Sequence, residues 1–249
     1  MAIGTIRLFS SALGMCVTCD VILPQQEPEV SQEPLPVLWL LHGAHGCHND
    51  WIRKTNIERY VAPYNLAVVM PSAQNSCYVN MAHGLNYYSY IAEELPQAMR
   101  THFRFSDRRE DNFIAGLSMG GRGSFIIGMN KPEQYAAIGC LSAGAVHERS
   151  ALHALPFGDE PIEGTYKDPF GNAKRILKDN LPRPRIFHAC GQDDFLLDSA
   201  RQTRDFFSSI PDNPFDYQYI EAPGAHTWDF WDAHIQEFIR FLNLPDARK

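Results

Sequence analysis

The 249-residue chain predicts an α/β fold with a mostly parallel central sheet and helices on both of its faces. Short, unbroken apolar runs such as 37–41 and 185–191 are typical of strands that are buried on both faces. Helical patterns lie between such runs, and strands that alternate with helices form parallel sheets through right-handed crossovers. The length and a hydrophobic content of 45% suit one domain, 1–249, with a large core.

The predicted elements follow one another in a regular order. Two strands, 3–9 and 15–23, are joined by a short turn and predict an antiparallel start to the sheet, and 25–36 is a polar, proline-rich surface loop. The later strands are predicted at 37–41, 66–71, 112–115, 136–141, 185–191 and 217–221, and the helices at 87–102, 121–130, 197–209 and 228–242. Pro96 is an awkward residue within the first of these helices.

The pattern Gly116-Leu117-Ser118-Met119-Gly120 stands between a predicted strand and a predicted helix. A G-x-S-x-G turn in this context exposes a serine hydroxyl above the edge of an α/β-hydrolase sheet. The turn is strained, and glycines beside the serine avoid collisions with the neighbouring strand and helix. The context therefore favours a nucleophilic Ser118 over a purely structural turn.

Candidates for an acid and a base follow the serine in the chain order that this fold uses. Asp193 and Asp194 stand just past strand 185–191, at the expected edge of the sheet, although a helix cap would also account for an acid there. His226 lies in a loop before the last helix, where many histidines are only solvated. Order and position together predict a triad of Ser118, His226 and one of the two aspartates.

An oxyanion hole is predicted from the loop after strand 37–41, which has the sequence His42-Gly43-Ala44-His45-Gly46. Such a loop supplies one backbone N–H, and the residue after the nucleophile supplies the other. These donors are the N–H groups of Ala44 and Met119. Met119 also begins a helix, where the peptide dipoles favour a developing negative charge.

The spacing of His42, His45 and His48 resembles that of a metal cluster. Gly43 and Gly46 indicate a flexible loop rather than one face of a helix, and no carboxylate-rich partner follows the pattern that supports the ligands of a metal site. We predict no metal and no other cofactor.

Residues 147–184 form the longest stretch without a clear strand pattern, and they are rich in proline and glycine. We expect a small insertion that partly covers the active site, not a large cap domain. No amphipathic helix of the kind that forms a lipase lid is evident in the stretch, which predicts a preference for short acyl chains.

Charge and cysteine usage limit the partners and the location. A net charge of −7 offers no basic surface for nucleic acid or anionic membranes, and no apolar run approaches the ~18 residues of a membrane helix. The six cysteines are scattered, and Cys16 and Cys19 would point to opposite faces of a strand, whereas Cys140 and Cys190 are expected to be buried. Without a recognisable signal peptide, we predict a cytoplasmic protein with a small ester as its partner, and homo-oligomers stay open.

The chain resembles the esterase D family of α/β-hydrolases, especially the bacterial tributyrin esterases. The matching segments are 40–43, Gly46 with 49–51, 86–88 with 93–96, 113–121, 190–191 with 194–196, and Gly224 with His226 and Trp228. The resemblance implies a serine carboxylesterase with a Ser–Asp–His triad, and it assigns the acid to Asp194, the third residue after the strand-end glycine. Arg122 departs from the family, which more often has an uncharged or aromatic residue there.

The resemblance does not select a substrate, because the family also includes S-formylglutathione hydrolases, feruloyl esterases and carbohydrate acetyl esterases. Acyl transfer to another alcohol is an alternative reaction, and a non-catalytic binding protein is an alternative of another class, which usually lacks a triad residue. Trp51, Phe195 and Trp228 adjoin the predicted site residues in the sequence. They are candidates to line the substrate pocket, or else ordinary core aromatics.

Overall fold

The computed structural model describes residues 1–25, 33–145, 151–159 and 161–247. The strands are β1 (Ala2–Ser10), β2 (Met15–Leu23), β3 (Val37–Leu41), β4 (Ala67–Pro71), β5 (Asn112–Leu117), β6 (Ala137–Leu141), β7 (Arg185–Gly191) and β8 (Gln218–Ala222). The helices are α1 (Asp50–Lys54), α2 (Ile57–Val61), α3 (Tyr87–Ser89), α4 (Leu95–His102), α5 (Met119–Asn130), α6 (Ala151–Phe157), α7 (Pro169–Lys178), α8 (Leu197–Ser208) and α9 (Trp228–Phe241).

These strands form one sheet in the order β1-β2-β4-β3-β5-β6-β7-β8. β2 pairs antiparallel with both β1 and β4, and every later pair is parallel. The predicted α/β-hydrolase architecture and its antiparallel start are confirmed. The parallel order places the carboxyl ends of β3, β5, β6, β7 and β8 along the same edge.

The core lies in two layers, one on each face of the sheet. Alternate residues of β3 show the division, since Trp39 belongs to one layer and Leu38 to the other. The first layer contains Phe125 of α5, and the second contains Phe238 of α9. Both faces are therefore covered by helices, as strands that are apolar on both faces require.

The predicted helix over 87–102 is continuous but not uniform. Tyr90–Glu94 is a π-helical segment between α3 and α4, and Pro96 lies in the first turn of α4. Proline has no backbone N–H and clashes with a carbonyl of the preceding turn in a regular helix. The wider π-helical turn ahead of Pro96 accommodates it.

The insertion contains more helix than the sequence predicted. Asp168 caps α7 by accepting the Gly171 N–H at 3.0 Å, and Pro169 occupies the first turn of the helix. Ala173 and Ile176 are fully buried in the core, so α7 is an amphipathic helix docked on the body of the protein. Sequence analysis missed this helix, in which the proline begins the helix instead of breaking it.

Parts of two predicted segments lie outside the described residues, namely 26–32 of the 25–36 loop and 147–150 and 160 of the 147–184 insertion. The six cysteines are free thiols, and burial of Cys140 and Cys190 is confirmed. Among the described residues, no helix has the length and apolar character needed to cross a membrane.

Candidate active site

Ser118 occupies the sharp turn between β5 and α5, with φ of 52° and ψ of −119°. A positive φ is costly for a serine and persists only where the surroundings fix it. A Cβ on Gly116 would lie 2.5 Å from the carbonyl of Gly120, and a Cβ on Gly120 would lie 2.5 Å from the carbonyl oxygen of His42. Only glycine at these two positions permits the approach that exposes the serine.

The structure brings Ser118, His226 and Asp194 together in one hydrogen-bonded line. The Ser118 hydroxyl lies 2.9 Å from His226 Nε2, and His226 Nδ1 lies 2.9 and 3.0 Å from the two carboxylate oxygens of Asp194. Because an ionised carboxylate only accepts hydrogen bonds, Nδ1 carries the proton and Nε2 can accept from the serine. This arrangement can perform nucleophilic acyl transfer.

The loops after β7 and β8 pack closely, which places Asp194 next to His226. A Cβ on Gly191 would lie 2.3 Å from the carbonyl oxygen of Gly224, so the two loops pass in direct contact. Asp193 is exposed, and its backbone N–H donates to Gly224 at 2.9 Å. Asp194, the next residue, therefore turns inward to His226.

The environment of Asp194 keeps its carboxyl group ionised. Burial by itself raises the pKa, but hydrogen bonds from His226 and from the Leu196 backbone N–H at 2.8 Å, together with the nearby Ser142 hydroxyl, outweigh it. The pKa of Asp194 consequently lies below its usual value. A charged acid can orient the imidazole and stabilise its cation.

The two predicted oxyanion donors lie beside the serine. A Cβ on Gly43 would be 3.5 Å from that of Ser118, which shows how closely the loop after β3 passes. Ala44 and Met119 both line the adjoining cavity. Within the described ranges, neither backbone N–H donates a hydrogen bond, so both are available to a developing oxyanion.

A cavity of about 700 Å³ opens beside Ser118. Phe195 and Trp228 line it, and the Phe195 ring lies 4.4 Å from that of His226 while 75% of the residue is exposed. A volume of this order is typical of small-molecule sites.

Trp51 differs from its predicted place. It is fully buried, its Nε1 donates to the Leu41 carbonyl at 3.0 Å, and it is not among the cavity residues. It packs edge-on behind Trp228 at 5.4 Å because α1 turns its inward face to the core. The cavity position belongs to Trp231, which sequence analysis missed and whose ring lies 5.0 Å from that of His226.

Arg122 and α6 form another part of the cavity that the sequence did not predict in detail. Arg122 is buried, and its guanidinium lies 5.4 Å from the centre of the Phe157 ring. Leu152 and His153 of α6 line the cavity beside it. The insertion therefore contributes directly to the substrate side of the site.

The histidines of the 42–48 loop have separate partners. His42 is buried with its ring bonded to Gly43 and Ala73, His45 is exposed at the cavity, and the His48 ring contacts the Ser72 hydroxyl at 3.1 Å. Over the part of the chain that the structure describes, no group of three or more potential ligands is placed to hold a metal ion.

Known esterases match both the sequence and the fold. A family model described as "Putative esterase" matches residues 10–242. An acetyl esterase of Caldicellulosiruptor saccharolyticus is 30% identical over 265 residues, covering 98% of this chain and 98% of the relative. Two Staphylococcus aureus structures are each 31% identical and cover 97% of this chain and 98% of their own, namely the fluorophosphonate-binding serine hydrolase FphF, with a TM-score of 0.88, and the S-formylglutathione hydrolase FrmB, with a TM-score of 0.85.

The family match spans most of the chain, and the relatives align over nearly their whole lengths. The chain belongs to the esterase family of α/β-hydrolases and is a carboxylic ester hydrolase.

Proposed function

We propose that this protein is a serine esterase that hydrolyses short-chain acyl esters through an acyl-enzyme intermediate. The observation that carries the proposal is the hydrogen-bonded line from Asp194 through His226 to Ser118 at the wall of an open cavity. The resemblance to the esterase D family and its tributyrin esterases supports the same reaction.

In the proposed mechanism, His226 removes the proton of Ser118 as the hydroxyl oxygen attacks the ester carbonyl. Asp194 orients the imidazole, and the N–H groups of Ala44 and Met119 stabilise the tetrahedral oxyanion. The alcohol or thiol leaves with a proton from His226, and water then cleaves the acyl-enzyme. Every step uses groups of this chain, without a metal or cofactor.

The names of two relatives support small acyl groups, since one is an acetyl esterase and the other an S-formylglutathione hydrolase. A panel that varies the acyl length and the leaving group separately, including S-formylglutathione, feruloyl and acetylated-sugar esters, would identify the preferred class. Added acceptor alcohols would reveal acyl transfer.

The free cysteines support a reducing, cytoplasmic location.

Replacing Ser118 with alanine is the direct test. We expect kcat to fall on the order of 10⁶-fold, because the nucleophile acts as a unit with its base. A serine-directed organophosphate should label wild-type Ser118 and no other residue, as mass spectrometry would show. Ser124→Ala, at a buried serine of α5 that bonds only to backbone carbonyls, is the matched control and should stay active. Activity above a few per cent in Ser118→Ala would rule out this nucleophile.

A further inference from the structure

We propose that Tyr78 is a positioning residue for the oxyanion hole, because its hydroxyl fixes the peptide that leads into the loop bearing the Ala44 donor. The inference rests on the proposed function, in which the N–H groups of Ala44 and Met119 bind the oxyanion. Tyr78 is not among the residues that line the cavity, so its role is exerted through the backbone of the loop.

The central contact is one buried hydrogen bond. Tyr78 is fully buried, and its hydroxyl donates to the backbone carbonyl of His42 at 2.9 Å. Burial raises the pKa of Tyr78 well above its ordinary value, so the hydroxyl remains a neutral donor throughout the working range of pH. His42 precedes Ala44 by two residues, and the bond therefore limits rotation of the chain just ahead of the proposed donor.

The Tyr78 ring also contacts the helix that supplies the second donor. A Cβ on Gly123 of α5 would lie 2.6 Å from the ring, so the two surfaces are in direct contact. The same helix begins at Met119, and its Gly120 lies against the carbonyl oxygen that Tyr78 binds. Tyr78 thus links the loop and the helix whose N–H groups must point at one oxygen atom.

The segment that carries Tyr78, residues 72–78, holds the loop at other points as well. Three backbone N–H groups also bond across the two segments, from the Ala73 N–H to His42 Nε2 at 2.9 Å, from the His45 N–H to Asn75 Oδ1 at 2.8 Å, and from the His48 N–H to Ser72 Oγ at 3.2 Å. Because the donors of an oxyanion hole act only when they are preorganised, this bonding has a direct catalytic consequence.

The backbone at Tyr78 is strained, as is common for residues at functional sites. Cys77 and Tyr78 have φ values of 52° and 58°, a conformation that costs free energy for side chains of this size. Two consecutive positive φ values turn the tyrosine inward, toward His42. The strain persists because the hydrogen bond to His42 and the contact with Gly123 fix the position of the side chain.

The test is Tyr78→Phe, which removes only the hydroxyl. We expect kcat to fall about tenfold with KM within twofold, a smaller loss than the ~10²–10³ for deleting a donor outright. The affinity for an alkyl trifluoromethyl ketone, whose serine adduct places an oxyanion in the hole, should weaken by the same factor as kcat. Tyr90→Phe is the matched control, since the Tyr90 hydroxyl is buried without a hydrogen-bond partner among the described residues, and it should change neither value.

Equal effects in Tyr78→Phe and Tyr90→Phe, or wild-type ketone affinity in Tyr78→Phe, would overturn the role of Tyr78. Should Tyr78→Phe fail to fold, the exposed Asn75→Ala tests the same bonding and should lower kcat severalfold at constant KM; no loss there would overturn the inference. A wild-type protein that neither hydrolyses esters nor is labelled at Ser118 would instead overturn the proposed function itself, and the role of Tyr78 with it.

Discussion

Two loops flank Ser118, and each is held by a buried, neutral histidine. In the oxyanion loop, His42 Nδ1 donates to the Gly43 carbonyl at 2.7 Å, and Nε2 accepts from the Ala73 N–H at 2.9 Å. Burial lowers the pKa of His42, which favours the neutral ring. The support is local, because the histidine belongs to the loop that it holds.

The segment 142–145, after β6, is also held by a histidine, but by one that belongs to a different element. His188 lies on the neighbouring strand β7, where Nε2 donates to the Ala143 carbonyl at 2.7 Å and Nδ1 accepts from the Tyr217 hydroxyl at 2.8 Å. Each histidine ring bonds to a backbone carbonyl of the segment that it holds, but the two segments have different tasks. The oxyanion loop must fix the direction of an N–H group, whereas the 142–145 segment shapes the cavity through Ala143 and Gly144.

Asp194→Asn tests most strongly whether the two loops flank a working triad. We expect kcat to fall roughly 10⁴-fold, because an amide favours the wrong tautomer of His226. Steady-state kinetics on a short p-nitrophenyl ester would measure the loss.

Asp193→Asn is the control for this substitution. Asp193 is the adjacent, exposed carboxylate, and its side chain has no hydrogen bond to His226. It should retain nearly full activity. Equal losses in the two variants, or a larger loss at Asp193, would reverse the assignment of the acid.

The burial of His188 should make the free energy of unfolding depend on pH. Burial lowers the pKa of His188 to about 4, although its bond to the Ala143 carbonyl opposes the shift. An unfolded histidine titrates near ~6.5, so between about pH 6.5 and 4 the unfolded chain binds a proton that the folded chain does not. The free energy of unfolding should therefore decrease as pH falls through this window, by up to about 3 kcal/mol from His188 alone.

Urea unfolding at several values between pH 7 and pH 4 would measure this contribution. His188→Gln should show a shallower pH dependence than the wild type, because it removes the group that titrates. Comparing the two slopes separates His188 from every other titrating group, including His42. Parallel slopes would show that His188 does not supply the acid sensitivity.

The triad region was predictable because its signals are local and ordered. Ser118, Asp194 and His226 each follow a strand end, and the parallel sheet brings such ends together without detailed packing. Trp231 could have been predicted too, since it lies three residues after Trp228 on the same face of α9.

The supports of the two loops were not predictable, because they depend on side-chain packing. Tyr78 is 36 residues from His42, and no local pattern indicates a positive φ at a tyrosine. Trp51 shows the converse error, since closeness in sequence to the oxyanion loop did not reveal which way its ring turns. In the insertion, the signal was present in Asp168 and Pro169, but the surrounding prolines and glycines concealed it.

The smallest expected effect concerns the preferred acyl-chain length, which depends on the walls of the cavity and not on the triad. α7 is docked through Ala173 and Ile176, neither of which lines the cavity, so it is not placed as a lid that opens onto lipid. We expect p-nitrophenyl esters of about four carbons to react fastest, with no rise in rate above the solubility limit. Each further methylene adds up to ~0.8 kcal/mol only where an apolar wall receives it.

Leu152 of α6 is one such wall, and Leu152→Ala should extend the preference toward longer chains. The gain in kcat/KM should be at most about fourfold for each methylene newly accommodated, which follows from the same ~0.8 kcal/mol. Leu155→Ala is the matched control on the same helix, because Leu155 is 59% exposed and lies outside the cavity lining. Equal changes in both variants would remove Leu152 from the acyl side. A wild-type maximum at ten carbons or more, or activation upon emulsification, would establish a true lid and a lipase instead of a short-chain esterase.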